Sequence, residues 1–398
     1  MAKLTIDQLQ LKDKKVLIRC DFNVPLDEEQ QISDDRRIVA SLPTIEKVLK
    51  DGGSAILCSH LGRPKGNADE KLRLKPVADR LEQLLNTKVI MAPDCVGAEV
   101  DRLKEQLNPG EILLLENLRF HKEEKNNDPE FAKQLAKGAD LYVNDAFGTA
   151  HRAHASTEGV TQYFDKAAGG YLIDKELQYL GKAIENPKRP FVAILGGAKI
   201  SGKIDVIKNL IEKVDTLIIG GGMAYTFLKA KGFEIGQSLL ETDKIELAKE
   251  ILDEVSAKNM NFILAEDVKV ATEFKNDAMS KFVNVEEIPA DFMGMDIGPK
   301  TMTLFANQIK KAKTIVWNGP VGVFEMSNFA NGTKEVAKVI AEATRNGAIS
   351  IIGGGDSAAA VSQFGMEDQF SHISTGGGAS LEFLEGKELP GIAALTDV

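Results

Sequence analysis

Nine short runs rich in aliphatic and β-branched residues, at 16–19, 55–59, 112–115, 141–144, 191–195, 217–219, 262–264, 314–317 and 349–352, punctuate the chain. Helical periodicity separates one run from the next, so the pattern predicts βαβ units and parallel sheets. Segment 171–185 carries Leu172, Leu177, Leu180 and Ile184 at helical spacing and stops at Asn186-Pro187, where a proline disfavours another helical turn. It predicts a helix joining two halves. A chain of 398 residues exceeds what one hydrophobic core usually serves, which again points to two domains. No fixed-period repeat or low-complexity tract interrupts the pattern.

Composition changes this picture little. Apolar residues make up 43% and charged residues 27%, as in ordinary globular proteins. The net charge of −10 argues against nonspecific binding to nucleic acid or an anionic membrane, so any anion site must be local. Cys20, Cys58 and Cys95 are too few and too scattered for a disulfide framework or a zinc site, and they suit a reducing cytosol. The start Met-Ala-Lys-Leu-Thr-Ile-Asp lacks a basic stretch followed by an apolar one, and no window is apolar for the length of a bilayer. The expectation is a cytoplasmic protein without membrane insertion.

The residue types that carry chemistry cluster just after the predicted strands. Asp21 and Asn23 follow the first, His60 and Arg63 the second, Asn117 and Arg119 the third, and Asp145 the fourth. Later come Gly196-Gly197, Gly220 to Gly222, Asn318-Gly319-Pro320 and Gly353-Gly354-Gly355-Asp356-Ser357. Open α/β sheets bind ligands at the carboxyl ends of their strands, so two sheets give two such rims. Arg37, Arg63, Arg119 and Arg152 suit phosphate and carboxylate oxygens through bidentate guanidinium hydrogen bonds, and with His60 among them they suggest a small anionic substrate on the first rim. The second rim offers glycine amides, Lys199, Lys203 and the carboxylate Asp356, which among phosphates calls for a divalent cation.

Residues 197–203, Gly-Ala-Lys-Ile-Ser-Gly-Lys, fit the spacing of a phosphate-binding P-loop, but Ile204 stands where that loop supplies a magnesium-binding hydroxyl. A P-loop kinase is therefore disfavoured. A dinucleotide-dependent dehydrogenase fits Gly353 to Ala358 as Gly-x-Gly-x-x-Ala, yet 374–380 has no acid for the ribose. A noncatalytic binding protein is a third reading. Ordinary explanations also exist: glycines after strands form tight turns, loop arginines are often solvated, and Cys20 and Trp317 suit a core. His151 and His154 lack a third ligand nearby for a metal.

Taken together, Asp21-Phe22-Asn23-Val24-Pro25, Ser59 to Pro64, Glu116 to Phe120, Val143 to Gly148, His151 to Ser156, Gly196 to Lys199, Trp317 to Pro320, Gly353 to Ser357 and Ser374 to Ser380 resemble the phosphoglycerate kinase family. The likeness runs from the first strand to Glu385-Gly386-Lys387-Glu388-Leu389-Pro390. It implies two doubly wound, Rossmann-like α/β domains joined by a helix and hinge: 1–170 for 3-phosphoglycerate, 171–186 as the joining helix, 187–387 for nucleotide, and a tail at 388–398 packing back on the first domain. It further implies reversible transfer between 1,3-bisphosphoglycerate with ADP and 3-phosphoglycerate with ATP, in glycolysis, by a cytoplasmic monomer using Mg2+.

Carried over by motif, Asp21, Asn23, Arg37, His60, Arg63, Arg119 and Arg152 would hold the glycerate. Gly196, Gly197, Gly220, Gly221, Gly294, Asn318 and Pro320 would line the nucleotide pocket, with Glu325 on the ribose. Asp356 would bind magnesium, while Ser357, Gly354, Gly355, Gly376 and Gly377 would meet phosphates. Arg37, Lys199 and Lys203 would stabilise the transferring group. Arg37 rather than Arg36 matches because it directly precedes Ile38. Gly202 departs from the family, many members of which carry Asp there. Separate sites imply closure, with 171–185 and 374–380 as candidate hinges.

Overall fold

The computed structural model describes residues 2–398. The chain divides into two compact units: one runs to Gln178 and takes back Glu388–Val398, and the other is Tyr179–Lys387. The division falls inside the helical connection. An α-helix, Tyr171–Glu176, passes into a π-helical turn, Leu177–Gly181, and then into a last helical turn, Lys182–Glu185. The apolar spacing predicts one uninterrupted helix here; the wider π turn leaves that spacing almost unchanged and is invisible to it.

In the first unit β1 (Lys15–Cys20), β2 (Ser54–Cys58), β3 (Val89–Met91), β4 (Ile112–Leu114), β5 (Leu141–Asp145) and β6 (Ala167–Gly169) form a sheet in the order β3-β4-β2-β1-β5-β6, every pair parallel. All five residues of β2 are buried, as a strand covered on both faces by crossover helices requires. The sequence pattern misses β3 and β6. Both are three-residue edge strands, and Ala-Ala-Gly in β6 has no strand-forming side chain. Residues 388–398 pack on this unit: Asn144 Nδ2 donates to Gly391 O at 2.9 Å and Leu4 N to Thr396 O at 2.8 Å.

In the second unit β7 (Phe191–Leu195), β8 (Thr216–Ile219) and β9 (Asn261–Ile263) precede a separate antiparallel sheet of β10 (Asp267–Ala271), β11 (Ser280–Asn284) and β12 (Met293–Ile297). Then β13 (Thr314–Asn318), β14 (Ile349–Gly353) and β15 (His372–Ile373) complete a parallel sheet ordered β15-β14-β13-β7-β8-β9. Numbered within their own sheet, these strands run 3-2-1-4-5-6 from β9 to β15, the order of dinucleotide-type sheets. The antiparallel sheet is absent from the sequence reading, because β11 (Ser-Lys-Phe-Val-Asn) is largely polar and solvent-facing.

These orders decide where ligands can go. In each sheet the chain first winds outward to one edge and then returns past its first strand, so β1 and β5 in the first unit and β7 and β13 in the second are neighbours whose outgoing connections run in opposite directions. At such a reversal the loops leaving adjacent strands turn to opposite faces and open a crevice. The residues leaving β1, Asp21 and Asn23, and those leaving β7 and β13, Gly196-Gly197 and Gly319-Pro320, all lie at these points. Among the described residues no helix is long and apolar enough to cross a membrane.

Candidate active site

The first unit gathers cationic side chains at the carboxyl edge of its sheet. Arg119 is buried, and its Nη1 donates to Gly62 O at 2.9 Å. Burial, with Arg19 and Arg152 nearby, pulls its pKa down to about 10. Buried His60 is held well below the ordinary histidine range by desolvation first, then by Arg19, Arg119 and Arg37. Half-exposed Arg37 pairs with Asp21 through Nη1 to Oδ2 at 3.0 Å. Asn23 Oδ1 accepts from Gly62 N at 2.8 Å, so this amide shapes the loop that carries Arg63. Arg63 and Arg152 are exposed.

The structure adds two residues that motif reading did not select, Arg19 and Glu124, and gives contacts to Ser156 and His154, which had no assigned role. Arg19 is fully buried in β1, where an apolar run conceals it. Its Nε donates to Ser156 Oγ at 2.8 Å and its Nη2 meets His60 Nδ1 at 3.2 Å. Buried Glu124 lies 3.8 Å from His154 Nδ1 and accepts from Ser156 Oγ at 2.6 Å. His154 is pushed down to about 3 by burial and by Arg19, Arg119 and Arg152. Several cations thus face few anions, an arrangement that favours an anionic ligand. Asp94, Cys95 and His121 form the group of possible metal-ligating side chains among the described residues, and neither His151 nor His154 belongs to it. His121 Nε2 lies 2.7 Å from Asp94 Oδ1, an ordinary hydrogen bond.

In the second unit a cavity of about 400 Å³ opens at the β7/β13 crevice. Of the residues selected from sequence, Gly197, Gly220, Gly221, Gly294, Pro320, Glu325 and Asp356 line it. Tyr225, Leu228, Leu239, Ala265, Met293 and Met295 supply apolar walls that the motifs did not reveal. A mostly apolar slot of this size with few polar groups suits an aromatic heterocycle. Asp296, also on the wall, is buried and pushed up to about 7 by desolvation; its oxygens accept from Ile297 N and Gly332 N at 2.9 and 2.8 Å.

The glycines beside the cavity interlock backbone against backbone. A Cβ on Gly196 would strike Pro320 O, and Gly319, at φ +101°, would strike Gly196 O. Gly294 leaves room for the Tyr225 hydroxyl. Gly376 and Gly377 open the helix Gly377–Leu384, whose start lies beside Gly355 N at the start of the helix Gly355–Gln363. Two helix N-termini side by side favour phosphate oxygens. Exposed Asp356 stands in the first turn of the latter helix. Buried Ser357 Oγ accepts from Gly319 N at 2.6 Å and so ties β13 to this turn.

Lys203 behaves differently from a phosphate-presenting P-loop lysine. Its Nζ donates to Gly196 O, Asn318 O and Asn318 Oδ1 at 2.7, 2.7 and 2.8 Å, which uses all three protons. Burial pulls it down to about 8, opposed by Asp356. Lys199 is exposed. The glycine run Gly353–Gly355 follows β14, the fifth strand of its sheet, whereas a dinucleotide fingerprint occupies the first βα turn. Neither alternative motif therefore has its required setting.

Comparison with known proteins agrees with these two rims. The family profile described as Phosphoglycerate kinase matches residues 6–387. Proteins named "Phosphoglycerate kinase" from Chloroherpeton thalassium and Prosthecochloris aestuarii are each 58% identical over 397 residues, covering 100% of both chains. The solved structure of phosphoglycerate kinase from Coxiella burnetii superposes with a TM-score of 0.90 at 43% identity, covering 99% of this chain and 98% of that one. That of Pyrococcus horikoshii gives 0.84 at 33% identity, covering 98% of each. With its two parallel six-stranded sheets and full-length relatives, the chain belongs to the phosphoglycerate kinase family, glycolytic kinases that transfer phosphate to a carboxyl group.

Proposed function

We propose that the protein transfers a phosphoryl group reversibly between 1,3-bisphosphoglycerate and ADP, giving 3-phosphoglycerate and ATP. The first unit binds the glycerate and the second the nucleotide. The observation that carries this reading is the burial of Arg19, Arg119 and His60 together at one crevice of a chain whose net charge is −10. His60 is neutral and Glu124 is the buried countercharge to Arg19, so the charge left for a ligand is that of Arg119 and the arginines beside it. Arg63, Arg152 and Arg37 complete the grip, and Asp21 holds Arg37 in place.

The cavity at β7 and β13 takes the base and ribose, with Glu325 on the ribose hydroxyls, and the paired helix starts at Gly355 and Gly377 take phosphates. Asp356 fits a magnesium ion: it is an exposed carboxylate amid amide donors, where a bare phosphate would be repelled. Mg2+ bound there would neutralise charge on the nucleotide phosphates. The acceptor is itself a carboxylate, ionised at neutral pH, so no general base is needed. Arg37 and Lys199 stabilise charge on the transferring group, and Lys203 joins them by exchanging its contacts with Asn318 for phosphate oxygens. Reacting oxygen and phosphorus must approach to about 3 to 3.5 Å, so closure about 171–185 and 374–380 accompanies turnover.

Three buried free cysteines suit a reducing cytoplasm, and the reading assigns a monomer working there. A coupled assay tests the proposal. ATP should form from 1,3-bisphosphoglycerate and ADP, chelation should stop it, and Asp356→Ala should weaken productive magnesium-nucleotide binding while leaving 3-phosphoglycerate binding nearly intact. Absence of ATP formation by the folded wild-type protein would overturn the reading; an unchanged magnesium response in the variant would reassign the metal ligand.

A further inference from the structure

Behind the anion pocket four buried side chains from four segments form one hydrogen-bonded line. Glu124, on the helical turn Lys122–Lys125, is 1% exposed and accepts from Ser156 N at 3.0 Å and Ser156 Oγ at 2.6 Å. A serine hydroxyl has one proton, so a Ser156 that donates to Glu124 has only lone pairs left for its other neighbour. Arg19 Nε meets that demand at 2.8 Å. The rest of the guanidinium is thereby fixed, with Nη1 donating to Cys20 O and Nη2 directed at His60 Nδ1, 3.2 Å away.

Arginine can only donate. His60 Nδ1 must therefore be an unprotonated acceptor, and the ring's proton must reside on Nε2. A doubly protonated ring would set two N–H groups against each other, and desolvation together with Arg19, Arg119 and Arg37 also disfavours the imidazolium. Resting on the functional reading above, we propose that Glu124 is a positioning residue: acting through Ser156 and Arg19, it holds His60 neutral with its proton on Nε2. The pocket then offers that N–H as a donor to the oxygens of the glycerate substrate.

Two independent features support assigning the role to Glu124 rather than to packing alone. The carboxylate is the countercharge buried next to Arg19, and its own carbonyl accepts from Ala155 N at 2.9 Å, which clamps the His151 to Ser156 loop to the same turn. Were the group merely a structural tie, its loss would lower stability without changing a tautomer three residues further along the line.

The test uses ligand-free protein with 15N-labelled histidine, in which the two ring nitrogens of His60 report the tautomer directly; His60→Gln assigns the signals. The wild type should show the Nε2–H form. Glu124→Gln removes the charge and keeps the shape, so it should give a mixture of tautomers and raise KM for 3-phosphoglycerate about tenfold, with KM for ATP unchanged. A folded Glu124→Gln with the wild-type tautomer and wild-type KM overturns the proposal. If that variant does not fold, Ser156→Ala carries the same two readouts, with the same result expected and the same result fatal. The tautomer is read without substrate, so a wild type that makes no ATP would undo the functional reading and leave this result standing.

Discussion

Arg37, assigned here to the proposed glycerate site, is tethered to Asp21 at 3.0 Å. Its guanidinium is half exposed, and a group placed there can reach a ligand without a large desolvation cost. Arg37→Ala should lower the turnover number by about 10³-fold, the order lost with a transition-state arginine, with milder change in nucleotide affinity. Steady-state kinetics in both directions check this, and near-normal turnover would remove Arg37 from the role. His154 gives a pH prediction. Its folded pKa of about 3 lies below the unfolded value of about 6.5. Between those values the unfolded chain binds a proton that the folded one does not, so stability is present above pH 6.5 and declines as pH falls through that window. His154→Gln removes this loss. Denaturant unfolding at about pH 7 and about pH 4.5 should show the variant gaining on the wild type at the lower pH; an equal difference at both would contradict the assignment.

At the scale of elements, β7 does two jobs. All five of its side chains are buried, and its end delivers Gly197 to the cavity. Phe191, at its start, is fully buried and remote in sequence from the glycine turn. Phe191→Ala should destabilise the protein by about 3 to 5 kcal/mol through lost transfer energy and a residual cavity. Urea unfolding measures it, and a loss below about 1 kcal/mol would mean the site collapses around the gap. The connecting helix is fixed at its start in a different way. Leu172 N donates to Asp145 Oδ1 at 2.8 Å and Tyr171 N to Thr44 Oγ1 at 3.0 Å, while the π turn lies six residues further on. A firm start followed by an irregular turn is consistent with the proposed hinge.

For the whole molecule, assigning the glycerate to one unit and the nucleotide to the other makes closure a requirement of the chemistry. Small-angle scattering should show a smaller radius of gyration with both ligands bound than with either alone. Equal radii in all states would end the hinge proposal. How much of this could be read from the chain depends on what each feature needs. All nine predicted strands exist within a residue or two, because a run of Val, Ile and Leu between turn residues has little choice but a buried strand. Arg19 and Glu124 escaped notice, and Ser156 was given no role, for the opposite reason. Each looks unremarkable in its own segment and acquires a role only when segments more than a hundred residues apart come together.

The sequence by itself determined the α/β class, the two-part organisation and the motifs that resemble phosphoglycerate kinases, because these depend on local periodicity and on glycine, proline and charge at short spacing. Only the tertiary structure decided the strand order and with it the position of each crevice, the edge strands, the antiparallel sheet, the apolar walls around Tyr225 and Met295, and the inward-turned amine of Lys203. Strand order and wall composition arise from contacts between distant segments, and a hydrogen bond from Lys203 to Asn318 spans 115 residues that no local pattern connects. Local propensities choose the elements; burial of their faces against one another chooses which side chains meet.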